Sequence, residues 1–164
     1  DLPADLAFSS GAGMAGREAL ARGAPILSDV EMVAHGIAAR RLPAGTEVIC
    51  MLGEAGVLER ARQSSMTRSA AAVELWRPML AGAVVAIGNA PTALFRLLEI
   101  LAEQTVRPAL VIATPPGFVG AAESKEALIA NDLDVRYLAL RGRRGGSALA
   151  AAAVNALAIG EDMA

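Results

Sequence analysis

Aromatic residues are nearly missing from this chain: Phe, Trp and Tyr make up 3% of its 164 residues. A site built by stacking flat rings or bases between side chains has few residues to draw on. Cysteine and histidine occur once each, as Cys50 and His35. An intrachain disulfide is therefore excluded, which suits a reducing cytoplasm. A transition-metal site made by this chain alone lacks its usual nitrogen and sulfur ligands. Neither charge is in excess, with 15 basic and 17 acidic residues and a net charge of -2. That removes any general pull towards nucleic acid or an acidic membrane. The longest uncharged run, 78–95, contains Gly82, Gly88, Asn89 and Pro91. These break a spanning helix, so the run reads as core.

What the chain does have is small aliphatic residues. Hydrophobic residues reach 54%, and the length suits one α/β domain with a sizeable core. Five short apolar runs read as buried parallel strands: Pro25–Leu27, Glu47–Cys50, Val84–Ile87, Leu110–Ala113 and Val135–Leu140. Helical patterns between them predict a parallel sheet covered on both faces. Ser28-Asp29-Val30-Glu31 has the form of a capping box. Asn89 is placed to cap a helix holding Thr92 to Leu101, with Pro91 in its first turn. Leu58 to Leu80 reads as one long helical pattern, interrupted near Ser64-Ser65. Arg40-Arg41-Leu42-Pro43-Ala44-Gly45 reads as a turn. Ser147 to Ala158 is apolar throughout, and an all-round apolar helix is buried in the core or against a second subunit. The subunit interface is the favoured reading.

The junctions after the strands are the informative positions. Ser28-Asp29, Gly88-Asn89-Ala90-Pro91, the segment 115–120 and the segment 141–147 each follow a predicted strand. All then lie at the carboxyl edge of one sheet, where open α/β folds bind ligands. Arg141, Arg143 and Arg144 lead into Gly145-Gly146-Ser147 at a helix start. This is either a solvated basic loop or a carboxylate or phosphate site, and the glycine pair favours the site. Spacing alone makes Arg68 a surface ion-pair residue, and Asp29 and Glu31 helix caps. Lys125, near the start of a helix after a Pro-Gly loop, leans towards a ligand contact. His35, on the apolar-rich helix Val30 to Ala38, is expected to be structural. Gly11-Ala12-Gly13-Met14-Ala15-Gly16 matches a dinucleotide-binding spacing by letter. It precedes any clear strand in the sequence and is discounted.

Together the junctions resemble the precorrin-8X (cobalt-precorrin-8) methylmutase family of cobalamin biosynthesis. The residues that carry this are 24–33, Thr67-Arg68-Ser69-Ala70, 85–94, 117–125 and 141–147. The resemblance implies a three-layer flavodoxin-like fold with a five-stranded parallel sheet, and a cytoplasmic homodimer. It implies an isomerase that moves a methyl group from C11 to C12 of a tetrapyrrole without a cofactor or metal. Hydrogenobyrinic acid or its cobalt counterpart is the product. Carried onto the matching motifs, it implies substrate contacts at Ser28, Asp29, Thr67, Arg68, Gly88, Asn89, Ala90, Pro91, Gly117, Phe118, Lys125, Arg141, Gly145, Gly146 and Ser147. The family's catalytic histidine lies in a Val-His-x-x-Gly motif upstream of the part matched, and His35 sits in a different motif. No catalytic role is therefore assigned here, and the chain, which opens on Asp1-Leu2-Pro3 without Met, is expected to be N-terminally truncated. Two other readings are a non-catalytic tetrapyrrole carrier and a flavin- or nucleotide-binding module. Scarce aromatics and absent phosphate-loop motifs count against the last.

Overall fold

The computed structural model describes residues 2–158. A short helix α1 (Leu2–Asp5) leads into strand β1 (Leu6–Phe8) and helix α2 (Ala12–Ala21). Then come β2 (Ile26–Ser28), α3 (Glu31–Gly36) and β3 (Val48–Cys50). Helices α4 (Val57–Gln63) and α5 (Arg68–Glu74) precede β4 (Val84–Ile87) and α6 (Pro91–Glu103). The chain continues through β5 (Leu110–Ala113), α7 (Ala121–Ile129), β6 (Tyr137–Leu140) and α8 (Ser147–Leu157). Among the described residues no helix is long and apolar enough to cross a membrane.

The six strands form one sheet in the order β1-β6-β5-β4-β2-β3. Five are parallel, and their order, counted along the chain, is the flavodoxin-like 2-1-3-4-5. The sixth corrects the expected count. β1 runs antiparallel beside β6, pairing Leu6 with Leu140 and Phe8 with Leu138. It is a three-residue edge strand with an exposed face, and its short apolar run Leu6-Ala7-Phe8 has neither the length nor the burial of β4 and β5. Its presence also changes the context of Gly11 to Gly16, which does follow a strand and open a helix. Because β1 is antiparallel, that turn lies at the amino edge of the parallel strands. Gly16 serves close packing there, since a Cβ would lie 2.7 Å from Leu110 Cδ2.

Strand alternation divides the core. Leu27, Val85, Ile87, Val111 and Ala113 face a cluster with Val73, Trp76, Leu94, Leu97 and Leu101 on the α5–α6 side. Ile26, Val84, Ala86, Leu110 and Ile112 face Leu20, Val33, Ala150 and Val154 on the side of α2, α3 and α8. Burial on both faces explains why β4 and β5 read so clearly as unbroken apolar runs. Helix α8 buries Ala150, Ala151 and Val154, while Ala148, Ala152 and Ala156 are exposed. Small residues let α3 and α8 approach closely: a Cβ on Gly36 would sit 2.7 Å from Ala151 Cβ. Asn155 of α8 then closes the end of α3. Its Oδ1 accepts from Ala38 N–H at 2.8 Å, and its Nδ2 donates to the Gly36 carbonyl at 2.9 Å.

The pattern 58–80 resolves into α4, α5 and a 3-10 turn at Arg77–Met79. The break falls at the expected serines, with Ser65 in the left-handed region at φ 51. Thr67 starts the next helix by accepting from Ala70 N–H at 3.1 Å. Helices α5 and α6 are joined by Glu74, which receives Arg77 at 2.8 Å and also Arg96. Burial raises the Glu74 carboxyl, but the two guanidinium groups together outweigh it and hold it below the usual carboxylate range. A lowered folded-state pKa stabilises fully above the ordinary carboxylate value and is lost as pH falls through the lowered one. Glu74→Gln should therefore cost about 1 kcal/mol near neutral pH. The gap in urea midpoint between variant and parent should close between about pH 5 and pH 3. A gap that stays constant over that range would rule out the ion pair as its source.

Candidate functional site

In this strand order the chain's crossovers diverge between β2 and β4, which opens a crevice at their carboxyl ends. Asp29, immediately after β2, reaches into it. Its Oδ1 accepts from Gly88 N–H at 2.9 Å, and its Oδ2 accepts from Asn89 at 2.9 Å and Ala90 at 2.8 Å. Asp29 is 3% exposed. Burial pushes its carboxyl above the usual range, while the amides of Gly88, Ala90 and Asn89 pull the other way.

This contact displaces both predicted caps. Ser28 lies in β2, paired with Ala86 and Cys50, and its hydroxyl donates to the Ile49 carbonyl at 3.3 Å. Helix α3 thus starts with Val30 as its cap and no side-chain cap bond. Asn89 is exposed, and α6 starts one residue later, with Ala90 as cap and Pro91 first. The expected helix around His35 is correspondingly shorter, and His35 is exposed, 3.9 Å from Glu31.

Glycine at 88 brings α8 in. A Cβ there would lie 2.7 Å from Ser147 Cα, so the buried Ser147 packs directly against the β4 turn. Gly145 has a comparable duty, since a Cβ would fall 2.0 Å from the Thr114 carbonyl oxygen. Gly146 donates its N–H to that oxygen at 2.7 Å, and the Thr114 hydroxyl donates back to the Gly146 carbonyl at 3.1 Å. The glycine pair therefore seats one loop on the end of β5. Thr114, a polar residue closing an apolar strand, was the signal in the sequence for this contact.

Two further bonds lace the loop after β6 to the segment after β5. Gly117 donates to the Arg143 carbonyl at 3.0 Å, and Lys125 Nζ donates to the Arg144 carbonyl at 2.8 Å. The backbone of 143–146 is held at Arg143, Arg144 and Gly146, while the Arg143 and Arg144 side chains stay exposed. Arg143 lies over the Phe118 ring, 5.7 Å from its centroid. Phe118 and Val119 stand out at 83% and 90% exposure. Arg141 is differently placed: its guanidinium is engaged by both Glu126 oxygens, at 2.7 and 2.6 Å.

The remaining candidates join through the first turn of α6. Thr67 donates its hydroxyl to Thr92 at 2.8 Å, and the exposed Arg68 donates to the Leu52 carbonyl at 3.0 Å. The structure thus gathers Gly88–Pro91, Gly117–Phe118 and Arg141–Ser147 along one edge, with Thr67 and Arg68 at the end beside β3. Ser28, Asp29, Lys125 and Ser147 lie beneath that edge as buried supports. Among the described residues, no group of three or more His, Cys, Asp or Glu side chains is gathered for a metal. An apolar pocket of about 260 Å³ borders Thr114, lined by Leu2, Leu6, Leu138, Leu140 and Leu149. A larger cleft, about 520 Å³, lies at the opposite end of α8 beside Arg17, Arg40 and Arg41.

Fold and edge define a flavodoxin-like α/β protein with arginines along its carboxyl edge and Asp29 occupying the amides of the β2–β4 crevice. The chain belongs to the precorrin-8X methylmutase family, isomerases of cobalamin biosynthesis, whose family model matches residues 1–159. It is 60% identical over 158 residues to precorrin-8X methylmutase of Pseudomonas aeruginosa, covering 96% of this chain and 76% of that one. Cobalt-precorrin-8 methylmutase of Leptospira interrogans is 34% identical over 149 residues, covering 87% and 68%. The crystal structure of precorrin-8X methylmutase from Thermus thermophilus superposes with a TM-score of 0.85 at 40% identity, over 96% of this chain and 76% of that one.

Removing the Asp29 carboxylate leaves the buried Gly88 and Ala90 amides without an acceptor. Asp29→Ala should cost about 2–5 kcal/mol in urea unfolding. A loss under about 0.5 kcal/mol would show that water replaces the side chain and that the crevice is not held by it.

Proposed function

We propose that this chain forms the macrocycle cradle of a methylmutase that moves a methyl group from C11 to C12 of precorrin-8X, giving hydrogenobyrinic acid. One observation carries the reading: the 143–146 backbone is laced to the neighbouring segment while Arg143 and Arg144 remain free to meet an anion. A corrin precursor presents several carboxylate arms, and guanidinium groups on a fixed backbone receive carboxylates with little ordering cost. Substrate and product are isomers, so no electrons or atoms need an outside source. The protein's task is then orientation and fixed dipoles. The cobalt-free substrate is favoured because the 60% identical relative bears that name and the 34% identical one bears the cobalt name.

The nucleotide-binding alternative loses its natural place, since the amides of Gly88, Asn89 and Ala90 are already taken by Asp29. Arg141, paired with Glu126, is a weaker candidate for a carboxylate contact than Arg143 and Arg144. We further place the working protein in the cytoplasm as a homodimer. The free Cys50 and the exposed alanine face of α8 support this, and light scattering at micromolar concentration tests the dimer.

Hydrogenobyrinic acid should bind saturably, read by its visible absorbance and by quenching of Trp76. The double variant Arg143→Ala/Arg144→Ala should weaken it at least tenfold, the scale of one or two charge-assisted hydrogen bonds. Arg141→Ala should change affinity less than about threefold. A double variant that binds like the parent would remove this loop from the site.

A further inference from the structure

Lys125 is a buried cation on which burial outweighs the pull of the neighbouring Glu126 carboxylate, itself paired with Arg141. The lysine is 0% exposed, makes no ion pair among the described residues, and uses one of its three donors on the Arg144 carbonyl at 2.8 Å. A buried ammonium with a neutral partner is costly, and pinning a loop does not need a charge. The cost makes sense where an anion arrives nearby. The geometry adds a second point. In a planar trans peptide the carbonyl and the following N–H point opposite ways. With the Arg144 oxygen held by Lys125, the Gly145 N–H faces away from Lys125. The Arg143 oxygen is held in the same way by Gly117, so the Arg144 N–H faces away from Gly117. Gly145, seated against Thr114, admits no side chain that would cover these donors.

We propose that Lys125 is a positioning residue for carboxylate recognition. Through the Arg144 carbonyl it aims the Gly145 N–H at a substrate carboxylate, and its buried charge strengthens the field of Arg143 and Arg144. The inference rests on the tetrapyrrole reading of this edge and refines it: Lys125 acts from behind the loop rather than by touching the ligand. Burial pushes the Lys125 ammonium pKa down, and the neighbouring Glu126 carboxylate offsets only part of this.

The test is titration of the chain with hydrogenobyrinic acid at several salt concentrations, paired with urea unfolding. Lys125→Met should keep or raise stability, because an apolar side chain replaces a buried charge. It should nevertheless weaken binding about tenfold and flatten its salt dependence. Lys125→Arg should restore part of both, and the neutral Lys125→Gln should restore neither. Affinity within twofold of the parent in Lys125→Met, or a loss that keeps the parent's salt dependence, would overturn the inference while leaving the tetrapyrrole site intact. If Lys125→Met does not fold, equal affinity and salt slope in Lys125→Gln and Lys125→Arg would overturn it. Absence of binding by the unmutated chain would overturn the tetrapyrrole reading and this inference with it.

Discussion

At the point where the crossovers diverge, one carboxylate takes the N–H groups of three consecutive residues, and the carboxyl edge of the sheet is arranged around it. Asp29 fixes the turn after β4, and that turn fixes both the start of α6 and the surface on which α8 begins. Open α/β folds commonly hold such amides ready for a phosphate. Here the chain supplies its own anion. The exposed Arg143 and Arg144 lie further along the sheet, after β6, where the proposed carboxylate contacts fall.

There the division of labour follows burial. Residues that set backbone positions are hidden: Thr114, Lys125 and Ser147 are all less than a tenth exposed. Those able to meet a ligand are in the open, namely Asn89, Phe118, Arg143 and Arg144. Such a layout separates the energy of folding from that of binding. A loop bonded to its neighbours at Arg143, Arg144 and Gly146 has little entropy left to lose.

Much of this was legible in the residues. The strands Val84–Ile87 and Leu110–Ala113 stand where the sequence places them, because burial on both faces leaves a continuous apolar run. The break at Ser64-Ser65 and the junctions that resemble the methylmutase family were equally readable. The misreadings share a cause. Ser28 and Asn89 have the chemistry of helix caps, but their turns are governed by Asp29, whose partners lie about sixty residues away. Local propensity does not report a partner at that distance. Strand β1 escaped because three residues at an edge carry no period long enough to read. Lys125 read as a ligand contact rather than a fully buried residue because nothing local marks a buried lysine.

The pairing of β1 with β6, and the clasp of Asn155 on the end of α3, also bear on how the chain reaches this state. Leu6 meets Leu140, and Ala38 meets Asn155 across 117 residues. Contacts of such separation form only after long loops close, which slows folding. During synthesis α8 emerges after all six strands of the sheet, so an earlier ribosome-bound chain would lack its cover over Ile26, Val84 and Ala86. Assembly of the sheet's α8 face therefore waits for α8 itself, and a nascent chain stalled before it would expose that apolar face to chaperones.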